Sequence, residues 1–319
     1  MSRADRAFAA MILVSLGLAG LGLLPLALTL FPGEIGAAAY RYDGVLMTCA
    51  AAISHFREAL PPLGAITLGL LGGALMAAAR RAVRLVRGTA RLTAGRPPAL
   101  VPSAIAAAAE RVGVGAAIRC YTSSIPDAYT AGFLSPQIWA SSSLGEVLGP
   151  AELEAVLLHE RAHLRRRDPL RVLIVRSLEA LLALVPAVGT LAKRFELAKE
   201  LDADREALIA QRTPRALAGA LAALADRAVP DGVAIGAWSL SSARIDQLSG
   251  VHPDTRVLRP SRRATLMSVC TCALVLFLGG GQAARANIVP ASLVPGLTFV
   301  ADDASLPHLC PVPPRGILL

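Results

Sequence analysis

Residues 8–31, FAAMILVSLGLAGLGLLPLALTLF, run without one charged side chain. A stretch of that length covers the hydrocarbon core of a bilayer, which takes about 20 residues. A cleavable signal peptide is the competing reading, but the apolar run is longer than a signal-peptide core and no small-residue cleavage site follows it. A retained span is therefore the expectation. The whole chain agrees: of 319 residues, 54% are hydrophobic and only 17% charged, with a mean hydropathy of +0.55, too apolar for one ordinary soluble domain. Further uncharged runs cover 59–79, interrupted by Pro61 and Pro62, and 264–281.

The net charge of +9 is nearly all arginine, with Lys193 and Lys199 the only lysines. Arg3 and Arg6 precede the first run, Arg80, Arg81, Arg84, Arg87, Arg91 and Arg96 follow the second, and Arg256, Arg259, Arg262 and Arg263 precede the third. Arginine accumulates on the cytoplasmic flanks of membrane spans. This predicts two N-terminal transmembrane helices within 1–79, a cytoplasmic domain over 80–263, a third transmembrane helix at 264–281 and a short extracytoplasmic proline-rich tail over 282–319. A nucleic-acid patch is the alternative use of the Arg80–Arg96 run, but no aromatic residues interleave it for base stacking, so direct nucleic-acid binding is not expected. Cys49 and Cys310 would share the oxidising side and could pair. No Cys-x-x-Cys pair exists to hold a metal.

Within 80–263, PSAIAAAAERVGV reads as a helix and AYTAGFLSPQIWASSSL as two strands joined near Ser135 and Pro136. GPAELEAVLLHERAHLRRR reads as a helix with Gly149 and Pro150 at its start, Arg165 to Arg167 in its last turn and Asp168-Pro169 as terminator. AKRFELAKELDADREALIAQ is a further helix. The fold class is α+β: a mainly α-helical integral membrane protein with a cytoplasmic zincin-like domain containing a small β-sheet.

His159 and His163 lie four apart on the first of these last two helices, so both imidazoles share one face, with Glu160 set obliquely beside them. Imidazole suits zinc, and a hydrolytic zinc site keeps one position open for water, whose proton Glu160 can accept. One Zn²⁺ per chain is expected. A third ligand is needed: Glu200 and Asp204 are co-facial on the later helix, which makes Glu200 the expected ligand and Asp204 the acceptor of a ring N–H from His159 or His163. Glu196 and Asp202 compete for those roles. Between the helices, residues 170–191 are apolar, but one crossing there would put His163 and Glu200 on opposite sides of a bilayer. The segment must lie on the membrane or enter and return near Pro186. Arg176 and Glu179 favour this, each costing about 2.5–3.5 kcal/mol at a bilayer centre, and they can pair at i,i+3.

TAGFLSPQIWASSSL, ELEAVLLHERAHLRRRDPL, ELDADREAL and ARIDQL resemble, in order and spacing, the membrane zinc metallopeptidases of the BlaR/MecR antirepressor type. They are similar, more distantly, to the CAAX prenyl protease and HtpX-type peptidases. The resemblance covers about 80–263. It implies that His159, His163 and Glu200 bind zinc, that Glu160 is the general base and Asp204 a ligand support, and that the strand at Gln137 to Ser142 borders the cleft and pairs with an extended substrate. The expected partners are a protein substrate, with a winged-helix repressor the candidate, and membrane lipid; a homodimer is left open. The implied location is a bacterial inner membrane with the site on its cytoplasmic face. The beta-lactam sensors of the family carry a large extracellular domain after the last span, whereas only a short tail follows Gly281 here, which puts the antibiotic-sensing role in doubt. Quality control of membrane proteins and a non-catalytic, metal-stapled scaffold are the alternatives. A scaffold needs a fourth ligand, and His252 in VHPDTR reads as a loop residue. His55 and His308 have no expected role. For Arg244 of ARIDQL a structural salt bridge is expected, with an approach to the cleft as the alternative.

Overall fold

The computed structural model describes residues 1–30, 63–225, 242–251 and 261–273. Two long helices, α1 (Arg3–Leu30) and α2 (Leu63–Ala94), come first. There follow β1 (Pro98–Ala99), α3 (Ser103–Val112), β2 (Ile118–Tyr121), β3 (Ala128–Ala131), β4 (Gln137–Ser141) and the single turn α4 (Leu144–Val147). Four helices then carry the chain onward: α5 (Pro150–Arg166), α6 (Asp168–Leu181), α7 (Pro186–Gln211) and α8 (Arg215–Ala225). The short α9 (Ser242–Leu248) comes next, and residues 262–273 are helical. The architecture is α+β, mostly helical with one small mixed sheet.

The sheet runs in the order β1-β2-β4-β3, with β2 and β4 parallel and the two outer pairings antiparallel. The expected hairpin is β3 and β4, in register from Ala128 opposite Ala140 to Ala131 opposite Gln137. Its connection needs Gly132, whose φ is 105° and where a Cβ would fall 2.7 Å from the Ser135 carbonyl oxygen. One expectation is corrected here. The strand at Gln137 to Ser142 cannot pair with a substrate, because β4 is hydrogen-bonded on both sides; the edge strands are β1 and β3.

Two apolar cores flank the α5–α7 pair. The first joins α3, the sheet, α5 and α8 through Ile105, Ile138, Leu157, Leu217 and Leu221, all fully buried. The second joins α1, α6 and α7 through Met11, Val175, Val188 and Phe195, also fully buried. Helix α7 contributes Phe195 to the second and Ala207 to the first, so Glu200 to Asp204 fall between them.

The motif helix begins with Pro150 in its first turn and the Gly149 N–H donating to Glu152 Oε2 at 2.9 Å. It ends where Arg167 takes a left-handed conformation, φ 52° and ψ 44°. Asp168-Pro169 does not simply terminate it: a new helix starts at once, with Pro169 in the first turn, where its missing N–H costs nothing. After α6 the chain reverses and α7 begins at Pro186. Within α6 Arg176 donates to Glu179 at 2.7 Å, as the i,i+3 spacing predicts.

Among the described residues no helix is long and apolar enough to cross a membrane. The three expected spans therefore gain no support. Each apolar run extends outside the described residues, to 31, across 59–62 and across 274–281, and α2 carries its arginines as one continuous helix with the second run.

Candidate metal centre

One helical turn separates His159 from His163 on α5, and α7 packs against that face with Glu200 opposite them. The two Nε2 atoms are 3.1 Å apart, and Glu200 Oε2 lies 3.4 Å from the first and 3.8 Å from the second. All three side chains are buried, at 1%, 7% and 8% exposure.

The opposite ring nitrogens fix what these atoms are. His159 Nδ1 is 2.8 Å from Asp204 Oδ1, and His163 Nδ1 is 2.7 Å from Asp168 Oδ2. A carboxylate only accepts, so each Nδ1 carries the proton and each Nε2 of a neutral ring presents a lone pair. Two lone pairs and a carboxylate oxygen then converge in a buried space. Glu200 Oε2 has no hydrogen-bond partner there. Such an array repels itself until a cation occupies it, and two imidazoles with one carboxylate are a donor set suited to zinc. His159, His163 and Glu200 form the one group among the described residues able to hold a metal ion.

Without a metal, a proton does the cation's work. Burial pushes the His163 pKa down, but the Glu200 charge and the hydrogen bond to Asp168 more than reverse this, to about 9. His159 is also raised: burial opposes it and Asp204 and Glu200 prevail. Burial pushes the Glu200 carboxyl up, yet Lys199 and the imidazoles hold it well below its usual range. Lys199 Nζ binds the other oxygen, Glu200 Oε1, leaving Oε2 turned to the histidines.

The competing acids are engaged elsewhere. Glu196 pairs with Arg176 at 2.6 Å, and Asp202 Oδ2 accepts the Ala4 N–H at 2.8 Å. Arg244 grips Asp204 with two bonds, Nε to Oδ2 at 2.7 Å and Nη2 to Oδ1 at 2.6 Å, and its Nη1 lies 3.8 Å from Glu200 Oε2. It is a buried salt bridge that also faces the site. His55, His252, His308, Cys49 and Cys310 lie outside the described residues.

Glu160 is buried beside the cluster, and Thr130 of β3 shares its hydroxyl proton between Glu160 Oε2 at 2.8 Å and the Glu160 carbonyl oxygen at 3.1 Å. Sequence reasoning missed both Thr130 and Asp168. A threonine in a strand carries no local mark of its partner, whereas Asp168, five residues past His163 across a tight corner, was legible as a second carboxylate near a histidine. A cleft of about 330 Å³ opens onto Glu160, His163 and Glu200, walled by Tyr129, Thr130 and Ala131 of β3 on one side and Leu85, Thr89 and Leu92 of α2 on another.

Neither a curated protein nor a solved structure matches the chain. The family model of the BlaR1 peptidase M56 matches residues 65–239, a region that holds His159, Glu160, His163, Asp168, Glu200 and Asp204. Because that match spans more than half of its length, the chain belongs to the BlaR1 peptidase M56 family of metallopeptidases.

Proposed function

We propose that the chain is a zinc-dependent endopeptidase that holds one Zn²⁺ through His159, His163 and Glu200 and hydrolyses peptide bonds of a protein substrate. The observation that carries this reading is the buried convergence of two Nε2 lone pairs and Glu200 Oε2, with both imidazoles oriented by carboxylates from behind. Three protein donors among the described residues suit a catalytic site better than a closed structural one.

Zinc bound there supplies Lewis acidity, lowering the pKa of water and polarising a carbonyl. The remaining work falls to the chain's own side chains. Thr130 orients Glu160, which takes a proton from the attacking water and returns it to the leaving amine. Asp204 and Asp168 keep the rings in the tautomer that offers Nε2 to the ion. The free edge of β3 presents backbone N–H and C=O groups along the cleft, where an extended substrate can add as a strand.

The RRRDP after the motif and its resemblance to the antirepressor type favour a winged-helix repressor as substrate. The uncharged runs and their arginine flanks favour attachment to a bacterial cytoplasmic membrane, with the cluster on the cytoplasmic side. Purified protein is expected to carry about one zinc per chain. Glu160→Gln is expected to keep that zinc and lose about 10²–10⁴-fold in cleavage rate; a variant that cuts like wild type refutes the reading. Proteomic comparison of wild type with Glu160→Ala identifies the substrate.

A further inference from the structure

The family match leaves the N-terminal helix out, yet that helix packs on α6 and α7, which carry Asp168 and Glu200. Asp168, which holds the His163 ring through Oδ2, has its other oxygen, Oδ1, buried without a hydrogen bond. The arginine facing that oxygen is Arg171, one helical turn on, with Nη1 at 3.9 Å. Too distant for a hydrogen bond, Arg171 acts on Asp168 by charge, and it stays there only if something holds it. Helix α1 does so twice: Asp5 Oδ1 accepts from Arg171 Nη1 at 2.8 Å, and the Phe8 ring lies under the guanidinium, 5.4 Å from its centre. Phe8 in turn packs on Phe195 of α7, and the Ala4 N–H is satisfied by Asp202, two residues from Glu200 on the same helix.

We propose that α1 is a positioning element of the metal cluster, acting through Arg171: Asp5 and Phe8 hold the guanidinium against Asp168, and Asp168 sets the ring of His163. This rests on the reading of His159, His163 and Glu200 as zinc ligands. Lys199 also lies within electrostatic reach of Asp168, but it is committed to Glu200 Oε1. The Asp5–Arg171 pair is thus the part of the support that another helix can alter. Displacing α1 by a turn would release Arg171 and loosen one imidazole while leaving Asp204 and His159 in place.

The test is zinc affinity of the full chain by chelator competition, with unfolding of the metal-free protein followed in parallel. Asp168→Asn sets the scale, with affinity about 10–100-fold weaker. Asp5→Asn and Arg171→Gln are each expected to weaken zinc about threefold to fivefold, to be non-additive when combined, and to leave the metal-free unfolding midpoint near wild type. Arg171→Lys, which keeps the charge, restores most of the loss. Arg6→Gln, on the same helix but bonded only to the Met1 carbonyl, changes nothing. Wild-type affinity in both Asp5→Asn and Arg171→Gln, with Asp168→Asn weakened, overturns the inference alone. A wild-type chain that binds no zinc overturns the peptidase reading and the inference together. A loss in Arg171→Gln that Arg171→Lys does not restore also overturns it, since charge is then not what acts.

Discussion

The two imidazoles of the cluster are held by the same chemistry in opposite surroundings. Behind His159, Asp204 is fully buried and clamped by two bonds from Arg244, itself 1% exposed. Behind His163, Asp168 has one oxygen without a hydrogen bond, and its cation, Arg171, keeps a quarter of its side chain in solvent. Breaking a buried bidentate pair costs several kcal/mol, whereas a pair held at 3.9 Å, with its arginine partly in solvent, contributes little and is screened by salt. One half of the site is therefore fixed with the fold, and the other is adjustable.

The largest expected effect tests the fixed half. Asp204→Ala removes both bonds that Asp204 accepts from the buried Arg244 guanidinium and is expected to destabilise the protein by about 3–5 kcal/mol, measured by urea unfolding of the metal-free chain. Asp168→Ala should cost far less, and equal costs would erase the distinction. Saturating zinc comes next: at 100 times its dissociation constant it should stabilise the chain by about 2.7 kcal/mol, and that gain should vanish in His163→Ala. The pH dependence of the metal-free protein follows from the raised His163 pKa of about 9 against about 6.5 when unfolded. Its stabilisation is complete below pH 6.5 and is lost as pH rises towards 9, so the unfolding midpoint should fall across that window and flatten once zinc replaces the proton. A rising midpoint refutes the assignment. Thr130→Val should lower the cleavage rate about tenfold at unchanged zinc content, the effect of one hydrogen bond to a charged group. The smallest effect belongs to the adjustable half: raising ionic strength should weaken zinc binding by a small factor in wild type, and less in Arg171→Gln, where the guanidinium charge is gone.

What local spacing could carry, the sequence carried. The i,i+4 rule put His159 with His163 and Glu200 with Asp204; that both pairs serve one site led to the expectation that residues 170–191 do not cross a bilayer, and α6 and α7 double back at Pro186. Asp168 was read as punctuation because Asp-Pro ends a helix as readily as it starts one. The left-handed Arg167 that makes it a start is a conformation arginine seldom takes, and no residue type announces it. Strand order is non-local too: nothing in QIWAS distinguishes an inner from an outer strand, and only the parallel pairing of β2 with β4 moves the free edge to β3. The three spans expected from hydropathy gain no such support: no described helix is long and apolar enough to cross a membrane, and each uncharged run extends outside the described residues.

Asp204 and its guanidinium partner are separated by 40 residues of chain. During synthesis at about 5–20 residues per second, that interval is about 2–8 s. His159, His163 and Glu200 have therefore all left the ribosome while Asp204 still lacks its counter-ion, so the three side chains can meet before the arginine arrives to seal the back of the site.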